Sequence, residues 1–375
     1  MLNDNIRSNI DKYFDTAKTL AAYITNNPEL SGAEHLAIAA YKQLLNDGGF
    51  EFVSPFGGLE TAFLAIDARK KDFSKKAVLL CEYDALPIGH ACGHSISGTA
   101  SVLAALALRD AFPDMSLRID LMGTPAEETT GGKADLIKAG VFEGYDFAAM
   151  VHMSNANRPL FKVLACNDRY YTWTGKAAHA SIAPEEGINA LNAGRLYLDA
   201  MDMQRQHLKP GMQFHGIIAH GGEAPNIVPE RCELNMYFRG LSLADLHSLN
   251  ETSDRIAKAA ATAIGCTVNI EQRINDFADM RTTENSNKLV CSIFDDMKLS
   301  YTEMNKPQGS SDAGNVSYVI PTYQPMIAIT DDASADLHTQ AFLECVQSDA
   351  GRERGLRNGA MVLAELCYRL GAEEK

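Results

Sequence analysis

Between residues 169 and 271 the apolar residues change rhythm, and this change constrains the fold more than any other feature. Strand-like Arg169–Gly175 is followed by helical Gly187–Gln206, and then strands Gln213–Ala219 and Cys232–Arg239 follow in direct succession. Helical Ala244–Ile264 and strand Cys266–Glu271 complete the segment. The order β-α-β-β-α-β predicts a small ferredoxin-like α+β sandwich built on one four-stranded sheet. On either side the pattern is different. Strand Ala77–Cys81, helix Ser95–Phe112, strand Leu117–Met122, helix Lys133–Ala139 and strand Phe147–Val151 alternate before it. Helix Asn287–Met297, strand Met326–Ile329 and helix Gly351–Leu370 come after it. Such alternation indicates parallel strands covered by helices. At 375 residues the chain is also too long for one ordinary core. The expectation is therefore a large α/β catalytic domain with a mainly parallel sheet, formed by residues 1–167 and 280–375. A small α+β domain, residues 168–279, interrupts it.

The composition narrows the classes of partner. A formal net charge of -14 argues against nucleic acid, because phosphate binding needs clustered Lys and Arg. No apolar run approaches the ~20 residues of a membrane helix. The opening Met1-Leu2-Asn3-Asp4-Asn5-Ile6-Arg7 lacks the regions of a signal peptide. Eight scattered cysteines without a CxxC pair suggest reduced thiols and a cytoplasmic location.

Four polar clusters each come soon after an apolar strand, and open parallel sheets bind ligands outside the carboxyl ends of their strands. The first ends in Cys92-Gly93-His94, just before a helix, where a thiolate gains from the helix dipole and the glycine permits a tight turn. Cys and His together suit a borderline-soft divalent ion. The second is Gly123-Thr124-Pro125-Ala126-Glu127-Glu128. Beside a metal, one carboxylate can bind the ion while its neighbour takes a proton from water. The third is His152 and the fourth His338. Asp84 can orient a ligand from behind. Taken alone, each has an ordinary explanation: a small buried Cys beside a capping His, a solvated acidic pair, a hydrogen-bonded polar histidine, a turn residue before Pro87. Their shared position at strand ends favours a common site.

The interrupting segment adds three candidates. His179, in Gly175-Lys176-Ala177-Ala178-His179-Ala180, can donate to a developing oxyanion. Asn226, in a Gly-rich turn, can hold a substrate amide or carboxylate, although turn chemistry alone explains Gly, Pro and Asn together. Arg239, at a strand end, suits a bidentate grip on a carboxylate, and is otherwise a solvated surface Arg.

These residues and their order resemble the M20 metallopeptidases and amidohydrolases. Within them the chain is similar to the branch of the aminobenzoyl-glutamate hydrolases and related dipeptidases. The match runs through Pro28-Glu29-Leu30-Ser31, Glu82-Tyr83-Asp84-Ala85-Leu86-Pro87 and Gly89-His90-Ala91-Cys92-Gly93-His94. It continues through the Glu127-Glu128 cluster, Gly131-Gly132-Lys133, His152, the His179 and Asn226 segments, Ser310-Ser311-Asp312-Ala313-Gly314-Asn315 and His338. The resemblance implies that the interrupting domain is a lid that dimerises, and that the chain forms a homodimer. It also implies two divalent metal ions, zinc first, with manganese or cobalt permitted. Cys92, His94, Glu128, His152 and His338 would be the metal ligands, Cys92 bridging, with Glu127 as general base. His179 would reach the partner's active site, and Asn226 and Arg239 would hold the substrate's carboxylate side. Two positions depart from the pattern. Ser95 stands where relatives carry Asp or Asn, and Glu82 stands where other branches carry a metal-binding His, which argues against Glu82 as a ligand.

The expected activity is hydrolysis of an amide or peptide bond in a small N-acyl amino acid or dipeptide, by a metal-activated water with Glu127 as base. A thiol hydrolase using Cys92 leaves Glu127, Glu128 and His338 without roles. A binding protein that merely retains the fold leaves the complete ligand set unexplained.

Overall fold

The computed structural model of the chain describes residues 2–304 and 306–372. The chain divides into two units, one of Met1–Lys162, Met280–Asn305 and Ser311–Lys375, the other of Val163–Asp279 with Lys306–Ser310.

In the first unit, helices α1 (Asp4–Asn26) and α2 (His35–Asp47) precede two short strands, β1 (Phe50–Val53) and β2 (Phe63–Asp67). Then come β3 (Lys75–Cys81), α3 (His94–Ala111), β4 (Leu117–Gly123), α4 (Gly132–Lys138), β5 (Phe147–Ala149) and β6 (His152–Ser154). Helix α1 is amphipathic from its first turn. Ile6, Ile10, Phe14 and Ala17 recur at three- to four-residue spacing and are all buried, which is what an amphipathic helix needs.

The sheet order is β1-β2-β4-β3-β5, continued by a late strand described below. β3 runs parallel to both β4 and β5, while β2 and β1 add an antiparallel margin. Ala77, Leu79 and Cys81 join the core on one face, and Val78 and Leu80 join the core on the other. A strand buried on both faces reads as a continuous apolar run, which is why Ala77–Cys81 is conspicuous in the sequence. α1, α3 and the C-terminal helix pack together on the first of these faces.

The second unit holds β7 (Ala165–Thr174), α5 (Ala190–Gln204), β8 (Gln213–His220), β9 (Arg231–Gly240), α6 (Leu243–Ile264) and β10 (Thr267–Glu271). Its four strands are antiparallel in the order β10-β7-β9-β8. This is the β-α-β-β-α-β sandwich that the apolar rhythm predicts. Trp173, Tyr171, Tyr197, Phe238 and Leu234 are buried between the sheet and its helices. Segment Lys306–Ser310 belongs here because the Gly309 carbonyl accepts from Leu164 N, and Ser310 Oγ donates to the Leu164 carbonyl.

The first unit resumes with α7 (Glu284–Asp296), α8 (Ala313–Val316), β11 (Thr322–Tyr323), β12 (Met326–Ala328), α9 (Gln340–Gln347) and α10 (Asp349–Ala372). β11 pairs with β5 and β12 with β6, both in parallel. The strand expected over Phe147–Val151 stops at Ala149, and a separate short strand begins at His152. Met150 N and His152 N still donate to Tyr323 and Pro325, but Pro325 has no N–H to return, so the ladder breaks there. Among the described residues no helix is long and apolar enough to cross a membrane.

Candidate active site

The candidate site lies at the carboxyl ends of β3 and β4, and backbone geometry does much to form it. Gly93 caps α3 with φ +84°, and a Cβ there would meet Met153 Cβ at 2.5 Å. The turn that aims Cys92 and His94 inward therefore requires glycine at this position. Gly98 lets α3 approach the end of β3, because a Cβ on it would sit 2.3 Å from the Glu82 carbonyl. Two non-glycine residues with positive φ border the site: Ala126, at 59°, and His338, at 66°. Such conformations are costly unless the surroundings enforce them. Ala126 N donates to Glu34 Oε1 at 2.9 Å, which holds the turn presenting Glu127 and Glu128. His338 N donates to the Ala91 carbonyl at 2.9 Å, which ties the last segment to the Cys92 loop.

Asp84 organises the interior. Its Oδ1 accepts from His94 Nδ1 at 2.9 Å, and its Oδ2 accepts from Ser31 Oγ and from Glu128 N. Burial alone would raise this carboxyl, but the His94 imidazole lowers it to about 2. With Nδ1 committed as donor, His94 turns Nε2 into the site. His152 is set in the same way, with Nδ1 donating to the Met153 carbonyl at 2.8 Å.

Around His94 Nε2 stand Glu82 Oε2 at 3.3 Å, Glu127 Oε2 at 3.9 Å and Glu128 Oε1 at 3.9 Å. His338 Nε2 lies 3.4 Å from Glu128 Oε1. Ligand atoms of Cys92, His94 and Glu128 lie within 4.8 Å of one another, as do those of Glu82, His94 and His152, and those of Glu82, Glu127 and Asp312. One thiol, three imidazoles and several carboxylates form a donor set suited to zinc or a neighbouring divalent metal. The buried atoms agree with that fit. His94 Nε2 and Glu82 Oε2 have no hydrogen-bond partner among the described residues. Buried polar atoms are rarely left so, and a cation between them would satisfy both. Burial pushes the Cys92 thiol up to about 12, and burial followed by the charges of Glu82 and Glu128 raises the Glu127 carboxyl well above its usual range.

All five expected metal ligands and Glu127 therefore come together in the first unit. Glu82, set aside on the sequence, sits among them. Behind it is an ion network that sequence reasoning did not identify. Lys133 Nζ contacts Glu82 Oε1 and Asp312 Oδ1, both at 2.6 Å, and Lys133 N donates to Asp312 Oδ2. All three side chains are fully buried. The Gly-Gly-Lys triplet and the acid following a buried strand were visible signals, but nothing in the sequence pairs them. Ser95, a departure from the family pattern, shares a hydrogen bond with Thr25 in the core.

His179, Asn226 and Arg239 belong to the second unit. His179 and Asn226 are neighbours near its surface, with Ala180 N donating to the Asn226 carbonyl. They lie near the Arg231 end of β9, where Gly175 N donates to the Glu230 carbonyl. Arg239 is near the other end and donates to Ser310 Oγ at 3.0 Å. The strand's ten residues separate the two places, a span of roughly 30 Å.

The model for the peptidase dimerisation domain matches residues 171–265, most of the second unit. Over 377 residues the chain is 37% identical to the Xaa-Arg dipeptidase of Mus musculus, covering 95% of this chain and 86% of that protein. It is 26% identical over 311 residues to the hippurate hydrolase of Campylobacter jejuni, covering 75% of this chain and 78% of that protein. In fold it is similar to a dinuclear metal binding peptidase of the M20 family from Bacillus subtilis. That match has TM-score 0.74 and 16% identity, over 96% of this chain and 99% of that one. The chain belongs to the M20 family of peptidases and amidohydrolases, hydrolases acting on C–N bonds.

Proposed function

We propose that this chain hydrolyses the amide bond of a dipeptide or N-acyl amino acid, using two divalent metal ions. Cys92, His94, Glu128, His152 and His338 would hold the ions, zinc first among the candidates. The observation that carries this reading is the group of buried Cys92 and His94 with half-buried Glu128, and a further carboxylate, Glu127, beside the same imidazole. Bound ions would polarise the scissile carbonyl and acidify water. Glu127 would take a proton from the attacking water and return it to the leaving amine. Asp84 keeps His94 in one tautomer and fixes the backbone of Glu128, so two ligands share one support.

His179 would donate to the developing oxyanion, and Asn226 and Arg239 would hold the substrate's carboxylate side. One small substrate does not bridge roughly 30 Å, so Arg239 and the His179–Asn226 pair of one chain serve different sites. A homodimer resolves this, with His179 and Asn226 acting on the partner's substrate. β8 supports the dimer, because it is an edge strand of its sheet and carries Ile217 and Ile218 largely exposed. Natural proteins rarely leave such an edge uncovered.

The test is a screen of dipeptides and N-acyl amino acids against enzyme reconstituted with zinc, manganese or cobalt. The similarity to the Xaa-Arg dipeptidase puts dipeptides ending in Arg first. Turnover that a chelator abolishes and added metal restores supports the proposal. Turnover that survives chelation but is lost on thiol alkylation would move the chemistry to Cys92.

A further inference from the structure

A cavity of about 380 Å³ opens at the C-terminal end of α3, the helix whose first residue is His94. Its charge is opposite to that of the chain. Lys12, Arg69, Lys70 and Arg109 line it against two acids, Asp67 and Asp110, in a protein of net charge -14. The acids pair with Lys12 and Arg69 of the same wall and leave Arg109 without a hydrogen-bonded carboxylate among the described residues. Asp110 accepts from Lys12, Tyr13 and Arg69. Asp67 accepts from the backbone of Arg69.

Arg109 is short of acceptors. Its side chain keeps only 10% of its exposure, and Nε and Nη1 have no hydrogen-bond partner among the described residues. The nearest carboxylate oxygens are Asp110 Oδ1 at 3.6 Å and Asp67 Oδ1 at 3.9 Å, too long for hydrogen bonds. The guanidinium is held in place by the ring of Phe50, 4.7 Å away. A guanidinium presents a planar fork of donors that matches a carboxylate or phosphate, and leaving buried donors unmet is costly. The rest of the cavity wall is largely apolar, made by Phe112, Met115, Leu117 and Ile119.

The geometry points to a binding site for a small organic anion, its carboxylate or phosphate head on Arg109 and its short apolar body against Phe112, Met115 and Leu117. The site is separate from the Cys92–His94 cluster. The 18 residues of α3 stand between them, roughly 27 Å of helix.

Isothermal titration of the holoenzyme with hexanoate, hexyl phosphate, inorganic phosphate and neutral hexanamide tests this, with Arg109→Met and Phe112→Ala beside the wild type. Arg109→Met removes the fork and keeps the bulk, and wild-type melting and turnover would show that it folds. The expected result is that hexanoate or hexyl phosphate binds the wild type and loses at least about tenfold in affinity in Arg109→Met, the scale of a hydrogen bond to a charged group. Phe112→Ala should weaken the six-carbon anions and leave inorganic phosphate unchanged. Whichever head binds more tightly identifies the ligand as a carboxylate or a phosphate ester. Binding common to wild type and Arg109→Met belongs to the catalytic site. Identical isotherms for the two proteins, absence of binding by either six-carbon anion, or equal binding of hexanamide would overturn the proposal.

Discussion

Nε2 of His94 faces Oε2 of Glu82 across 3.3 Å, and neither atom has a hydrogen-bond partner among the described residues. Asp84 commits the other ring nitrogen as donor, and although burial alone would lower the His94 pKa, the neighbouring Cys92, Glu82 and Asp84 hold it well above its usual value. The buried pair therefore calls for a positive charge at Nε2, and a metal ion can supply it in place of a proton. Metal should therefore stabilise the fold as well as enable turnover. At a free zinc concentration of 100 times Kd the gain is about 2.7 kcal/mol. Melting temperature should rise with zinc and fall with chelator in the wild type. In His94→Ala the zinc-dependent rise should shrink sharply, and an unchanged rise would place the metal elsewhere.

Glu127→Gln separates the base from the ligands. The amide keeps the shape and removes the basic oxygen. Turnover should drop by about 10²-fold or more, while elemental analysis finds the same metal content as in wild type. Loss of metal from this variant would make Glu127 a ligand.

Lys133 is a fully buried cation between Glu82 and Asp312. Lys133→Met would leave two buried carboxylates without their counter-ion, at a cost of about 3–5 kcal/mol. Urea denaturation of apo protein measures this. The triple variant Lys133→Met, Glu82→Gln, Asp312→Asn should regain much of the loss, because no unpaired charge remains. A single variant within about 1 kcal/mol of wild type, the scale of an exposed pair, would show that the network contributes little.

The partner's contribution can be read by complementation. His179→Ala and Glu127→Gln chains are each expected to be inactive as homodimers. In a mixed dimer, the site with the intact Glu127 borrows His179 from its neighbour. Random equal mixing makes half the dimers mixed, with one good site in two, so about a quarter of wild-type activity should return. Exchange of chains between dimers is followed by mass tags. With exchange demonstrated, a mixture that stays inactive places His179 in its own chain's site.

The sequence alone determined the architecture, because periodicity is a local property. The apolar runs Ala77–Cys81 and Leu117–Met122 and the β-α-β-β-α-β rhythm are legible where they occur. Cys92, His94, Glu127, Glu128, His152 and His338 were legible too, as polar residues just beyond apolar strands. The short strands β1 and β2 were not, since four or five partly exposed residues carry little pattern. Nor was the break at Pro325, which shows only once β11 and β12 are laid beside β5 and β6.

Only tertiary structure decided which charges meet. Glu82, Lys133 and Asp312 are far apart in the chain, and each could have been an ordinary surface group. Packing of β3, α4 and the segment before α8 buries them together, where desolvation compels them to pair. The same holds for Arg239 and Asn226, grouped on the sequence as holders of one carboxylate. β9 stands between them, with Asn226 before its Arg231 end and Arg239 near the other, and an extended chain advances about 3.3 Å with every residue.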